Sequence, residues 1–131
     1  MEIIAKLQTH TVNIYGLAQK EYSLETVAAR SLLTGLKFDV FAKLYYIAHR
    51  QEDPQGALKV YLEHIKVFNP DGKEPGRDDK TSLEDFVKAF DSLIEDMKEN
   101  GFDSQKSVIP LDGDGVSLDG SHRIAAAAFF D

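Results

Sequence analysis

Val108-Ile109-Pro110-Leu111-Asp112-Gly113-Asp114-Gly115-Val116-Ser117-Leu118-Asp119-Gly120-Ser121-His122-Arg123-Ile124-Ala125-Ala126-Ala127 is the stretch on which the fold of this chain is decided. Its local chemistry predicts a short strand over 108–111, a tight turn at Asp112-Gly113-Asp114-Gly115 and a short returning strand over 116–118. Asp119-Gly120 then turns the chain into a helix from Ser121 to Phe130, favoured by four consecutive alanines at 125–128. The first turn of that helix carries a hydroxyl, an imidazole and a guanidinium. A helix start leaves backbone N–H groups without intrahelical partners and bears the positive end of the dipole, so it suits an anion. Gly120 allows a ligand close to the backbone, and Arg123 offers a fork matched to phosphate oxygens. Asp119 is then a ligand for a divalent ion held with phosphates, or a base for a hydroxyl group. The simpler alternative is a plain Asp-Gly turn, with Ser121 or Asp119 as N-cap and Arg123 in a surface ion pair.

Upstream of this stretch the pattern is mostly helical. Thr81 and Glu84 have the spacing of a capping box, Leu83, Phe86, Val87, Phe90, Leu93, Ile94 and Met97 line one helix face, and Gly101 is a C-cap. Before it, Ala57, Leu58, Tyr61, Leu62, Ile65 and Phe68 form an apolar stripe for a helix of about three turns, set off by Gln51-Glu52-Asp53-Pro54. Residues 69–80 between the two read as a surface loop of mixed charge. Phe38, Phe41, Leu44, Tyr45 and Ala48 predict the buried face of another helix, with Asp39, Lys43, Tyr46 and Arg50 on a separate polar stripe. Asp39 and Lys43 stand one turn apart. They suit a site in which the lysine holds a phosphate and the carboxylate orients a metal or a hydroxyl, although such a pair is more often a solvated surface ion pair. A helix from Ser23 or Thr26 to Leu33, stopped by Gly35, and strands at 2–7 and 11–17 complete the expectation.

The 131 residues suffice for one domain with a real core. Fifteen Lys+Arg against 22 Asp+Glu give a formal charge of -7, the wrong sign for a protein that clings to nucleic acid through its phosphates. Nucleic acid is therefore not an expected partner. The longest apolar run, Ile124 to Phe130, is too short for a membrane span, and a soluble cytoplasmic protein is expected. The absence of cysteine excludes disulfides, thiolate metal sites and cysteine nucleophiles.

Three further patterns fail on spacing. The P-loop requires a glycine directly before its lysine, and Asp79 precedes Lys80. A calcium loop starting at Asp112 requires an acidic twelfth residue, where Arg123 stands. His10, His49, His64 and His122 show no zinc spacing on one element. A hydrolase is also set aside: G-x-S-x-G is absent, and Ser121 and His122 are adjacent, on different sides of a helix start.

Residues 108–127 resemble the core box of the ParB/sulfiredoxin-like superfamily, in which a hairpin delivers a D-G-x-H-R-x-x-A element to a helix start. The resemblance covers about 20 of the 131 residues. It implies an α+β fold, a small mixed sheet with packed helices, over one domain spanning 1–131. It also implies a bound nucleoside di- or triphosphate with magnesium: sulfiredoxins use ATP, ParB proteins bind CTP, and free-serine kinases of this fold phosphorylate a small hydroxylated substrate. Carried over, Gly120, Ser121, His122 and Arg123 contact the phosphates, with Lys43 a further candidate. Asp119 matches the acidic residue of the serine-kinase box, as catalytic group or metal ligand, and Asp39 joins it as the second catalytic candidate. Ser121 stands where sulfiredoxins place their catalytic cysteine, so sulfinic acid reduction is excluded. The segment 38–46, with Gly101-Phe102-Asp103 and the box, is also similar to domains of bacterial surface-polysaccharide loci. The expected function is a nucleotide-binding domain acting as a small-molecule kinase; the alternative is a non-catalytic ParB-like nucleotide-binding or interaction module.

Overall fold

The computed structural model describes residues 6–7, 9–19, 22–37, 39–74, 77 and 80–130. Among them five α-helices follow one another: α1 (Thr9–Tyr15), α2 (Asp39–His49), α3 (Pro54–Phe68), α4 (Leu83–Asn100) and α5 (Ser121–Phe130). Single 3-10 turns lie at Leu17–Gln19, Ala29–Leu32 and Gly35–Lys37.

Each long helix starts where its sequence can satisfy the orphan amides. The Asp53 carboxylate accepts from the Gly56 amide, with Pro54 in the first turn of α3, where its missing N–H is no loss. The Ser82 hydroxyl accepts from the Asp85 amide at the head of α4, and the Asp85 carboxylate reaches back to the amide and hydroxyl of Thr81. The capping box thus sits one residue later than the Thr81–Glu84 spacing predicts. Gly101 closes α4 with φ of 72°, a conformation that suits glycine.

The core forms where α2, α3, α4 and α5 meet. Val40 and Ile47 from α2, Ala57, Tyr61 and Ile65 from α3, Phe86, Phe90, Ile94 and Met97 from α4, and Ile124, Ala125 and Ala126 from α5 make one apolar cluster. The small side chains of α5 let it lie close against α2 and α4. The rings of Tyr46, Tyr61 and Phe90 pack mutually, with centroids 5.0–5.5 Å apart.

Four expectations are corrected. The described residues hold no strand and no sheet, only an isolated antiparallel bridge between Leu111 and Ser117. The chain is helical, not α+β. The turn at Asp112–Gly115 forms as expected, its Asp112 carboxylate accepting from the amides of Asp114 and Val116. A ladder does not grow from it because Pro110 has no amide to donate and the arms are only three or four residues long. Second, 11–17 is not a strand: Thr9–Tyr15 is helical, with neighbours Thr11 and Val12 both buried while Ile14 and Tyr15 are exposed. The strand expected at 2–7 falls largely outside the described residues.

Third, no α-helix runs from Ser23 to Leu33. Residues 22–28 are exposed and irregular, and a segment with no packed face cannot offset the cost of helix nucleation. Gly35 opens a 3-10 turn rather than stopping a helix. Fourth, α2 is turned relative to its apolar pattern. Phe41 is 46% exposed and Tyr45 42%, while Val40, Lys43, Tyr46 and Ile47 are buried; Phe38 lies outside the described residues. The polar stripe of α2 therefore faces inward. Tyr46 donates to the Asp91 carboxylate at 2.7 Å, and Arg50 pairs with Asp91 and Glu95 of α4.

Phe90 is fully buried at the centre of this cluster. Phe90→Ala is expected to cost about 3–5 kcal/mol of unfolding free energy in a urea titration; a loss below about 1 kcal/mol would show that the four-helix core is not the seat of stability.

Candidate functional site

The helix start singled out from the sequence opens onto a cavity of about 600 Å³. All seven residues expected at the site line it: Asp39, Lys43, Asp119, Gly120, Ser121, His122 and Arg123. Two segments far apart in the chain, the N-terminal half of α2 and the Asp119–Arg123 turn, are thus brought together.

Their junction is Lys43. Its ammonium, on a side chain only 4% exposed, donates to the Ser121 hydroxyl at 2.8 Å and lies 3.3 Å from the Asp39 carboxylate. The pair is no solvated surface bridge. Burial pulls the lysine below its ordinary pKa, while the Asp39 carboxylate opposes that shift. Asp119 accepts from the Thr11 hydroxyl at 3.1 Å, which ties α1 to the site. Its carboxylate stands 4.0 Å from the Arg123 guanidinium. Arg123 also donates to the Val108 carbonyl at 3.1 Å, so the hairpin and the helix share one cation.

Gly120 has φ of 88°, and a Cβ there would stand 2.8 Å from a terminal nitrogen of Arg123. The room at Gly120 is used by Arg123 itself, whose guanidinium lies across the backbone. Among the described residues no side chain accepts from the amides of Ser121, His122 or Arg123. Those amides keep the capacity to bind an anion.

His122 supports the helix start from beneath. Its Nε2 lies 2.9 Å from the Tyr61 hydroxyl, which also reaches the Phe86 carbonyl at 3.3 Å, and its ring meets Phe90 edge-on at 4.8 Å. Burial drives the imidazole well below 6.5, and the charges of Lys43 and Lys80 add to the effect. Its contacts tie α5 to α3 and α4, so its place is that of a positioning group.

Several lining groups escaped the sequence reading. Lys80 is buried rather than solvent-borne; it pairs with Glu74 at 3.3 Å and lies over the Phe86 ring at 5.1 Å. Arg77 stands 3.7 Å from the same carboxylate, and both cations line the cavity. The described ends of the 69–80 segment are therefore wall, not outlying loop. His64 and Phe68 of α3 complete another part of the wall. The mixed charge of 69–80 was the visible signal, but nothing in its spacing says where it folds. Among the described residues the wall carries four cations, Lys43, Arg77, Lys80 and Arg123, against the carboxylates of Asp39, Glu74 and Asp119. In a chain of formal charge -7 that is a local reversal of sign.

No group of three His, Asp or Glu capable of holding a metal stands among the described residues. No described helix is long and apolar enough to cross a membrane.

Neither a protein-family model nor any curated protein or solved structure matches this chain.

The two lowered imidazoles give the protein a pH signature. Burial, with the Lys43 charge, holds His64 down as it does His122. In the unfolded chain both accept protons as pH falls through about 6.5, whereas in the folded chain they resist. The unfolded state then binds more protons, so stability falls as pH drops below 6.5, by at most about 1.4 kcal/mol per pH unit for each histidine. Urea midpoints measured from pH 7.5 to 5 are expected to decline across that window. His122→Gln is expected to flatten the decline; an unchanged slope would place the buried proton deficit elsewhere.

Proposed function

We propose that the cavity binds a nucleoside phosphate, with the phosphates seated on the first turn of α5. The observation that carries this reading is that Lys43 from α2, Lys80 from before α4 and Arg123 from α5 line one cavity together with the first turn of α5. Backbone amides and a helix dipole favour negative charge there, and buried cations in a low-dielectric wall strengthen the attraction. Ser121, already held by Lys43, offers a hydroxyl to a phosphate oxygen. The cavity volume lies within the range of small-molecule sites.

Magnesium fits this arrangement only in company. Asp39 and Asp119 supply two carboxylates, so an ion would complete its shell with phosphate oxygens, the usual habit of magnesium in nucleotide sites. When bound, it would neutralise charge on a transferring phosphoryl group. In the phosphotransferase form of the proposal, Asp119 accepts the proton of a small hydroxylated acceptor, and Lys43 and Arg123 stabilise charge on the phosphoryl oxygens. The non-catalytic module is favoured by one specific contact: the Asp119 carboxylate already accepts from Thr11 and faces Arg123. An acid so engaged serves a binding site at least as well as it serves proton transfer.

At saturating concentration, magnesium with ATP, ADP or CTP is expected to raise the melting temperature by roughly 10 °C, in keeping with a few kcal/mol of linkage. Arg123→Ala is expected to abolish that shift. If none of the three nucleotides shifts the melting temperature of the wild-type protein from its ligand-free value, the nucleotide reading fails. Asp119→Asn separates the two forms: loss of phosphoryl transfer with nucleotide binding kept supports the enzyme, and a wild-type protein that binds without turnover supports the module.

A further inference from the structure

Among the described residues two serines line the cavity, and they are placed differently. Ser92 is exposed on α4, whereas Ser121 opens α5 within hydrogen-bond reach of the buried Lys43. We propose that Ser121 is itself a phosphoryl acceptor, taking the terminal phosphoryl group of the nucleotide bound beside it, so that the chain modifies its own phosphate seat. This rests on the reading of α5 as that seat, and adds to it the acceptor hydroxyl and the state of the site after transfer.

The condition of the Ser121 hydroxyl carries the inference. A serine that caps a helix spends its oxygen on an amide of the first turn. Ser121 is already the first residue of α5, and none of the amides of 121–123 donates to it. Its Oγ instead accepts from the Lys43 ammonium at 2.8 Å. An ammonium only donates, so this contact uses a lone pair of the oxygen and leaves the hydroxyl proton without an acceptor among the described residues. The oxygen is thus held at the cavity wall with its proton and second lone pair uncommitted. Phosphates seated on the amides of Ser121, His122 and Arg123 lie beside it, so acceptor and donor meet within one chain.

In the transfer, a lone pair of Ser121 Oγ forms a bond to the terminal phosphorus while the bond from that phosphorus to the bridging oxygen breaks. The bridging oxygen leaves with the electron pair, on a nucleoside diphosphate, and the hydroxyl proton passes to an oxygen of the transferred group. Lys43 and Arg123, which line the same cavity, offset charge on the phosphoryl oxygens. The same surroundings favour the product. A phosphoserine in the first turn of a helix, against a buried ammonium, gains charge-assisted hydrogen bonds where the neutral hydroxyl has one. Its phosphate then fills the place of the nucleotide's own, and the reaction stops after one group per chain.

Incubation of the full chain with magnesium ATP, followed by intact-mass and fragmentation analysis, tests this beside isothermal titration of ATP binding. The wild-type chain is expected to gain the mass of one phosphoryl group on Ser121, at a first-order rate independent of protein concentration, and Ser121→Ala to gain none. The isolated phosphorylated chain is expected to bind ATP at least about ten-fold more weakly than the unmodified one, since like charges meet in one seat. Melting of Ser121→Ala checks that it folds, and fragmentation of the wild-type chain places the group whether or not it does. ATP binding without a gain of mass overturns the acceptor and leaves the phosphate seat standing. A gain on another residue, or a rate that rises with protein concentration, does the same. A phosphorylated chain that binds ATP as tightly as before overturns the blocked seat. Failure of the wild-type chain to bind ATP overturns the seat, and the acceptor with it.

Discussion

The buried ammonium of Lys43 is the constraint around which the site is arranged. A charge held at 4% exposure is tolerated only when paired and hydrogen-bonded, and Lys43 meets that condition by spanning Asp39 on its own helix and Ser121 at the start of α5. That requirement is met in the rotation of α2 that also buries Val40 and Ile47. With Lys43 turned inward, Tyr46 and Arg50 follow on the same stripe and engage Asp91 and Glu95 of α4, while Phe41 and Tyr45 are left outside. The same bond sets the position of α5. Its small-residue face, Ala125 and Ala126, lets α5 lie close against α2.

The rest of the site is scaffolded on this junction from three directions. Tyr61 and Phe90 hold His122 from the core side, Thr11 holds Asp119 from α1, and Arg123 bridges back to Val108 across Gly120. Each tie leaves the amides of Ser121, His122 and Arg123 without a side-chain acceptor among the described residues. The result is a helix start held by contacts from several elements, with cations around it. Such preorganisation suits anion binding, because the donors need no rearrangement when the ligand arrives.

Much of this was legible before any coordinates. The helices α3 and α4 announce themselves through the 3.6-residue periodicity of their apolar faces and α5 through its alanines after Asp119-Gly120, whereas the cap of α4 is Ser82 and not the Thr81 that the spacing suggests. The two groups of candidate residues, Asp39 with Lys43 and Asp119 to Arg123, were each legible because their spacing is local, whereas their meeting in one cavity is a tertiary fact. Other features were hidden for physical reasons. In α2 two faces are apolar enough to be buried, and tertiary contacts, Val40 and Ile47 in the core and Lys43 on Ser121, select the one that carries the polar stripe. The hairpin arms have strand-like residues, but a proline and short length stop the ladder at one bridge. The place of Lys80 against Phe86 and Glu74 is a tertiary contact that no periodicity encodes. The resemblance to a superfamily with a mixed sheet rested on twenty residues around one turn. Twenty residues around one turn do not specify a sheet, and the described residues form none.

The central claim is that the first turn of α5 is the phosphate seat, and backbone amide NMR reads it most directly. Titration of the ¹⁵N-labelled chain with magnesium ATP is predicted to move the amide resonances of Ser121, His122 and Arg123 furthest, with Lys43 and its neighbours on α2 responding alongside. Saturable shifts confined to other surfaces, or resonances at 121–123 that stay in place at millimolar ATP, would contradict the account.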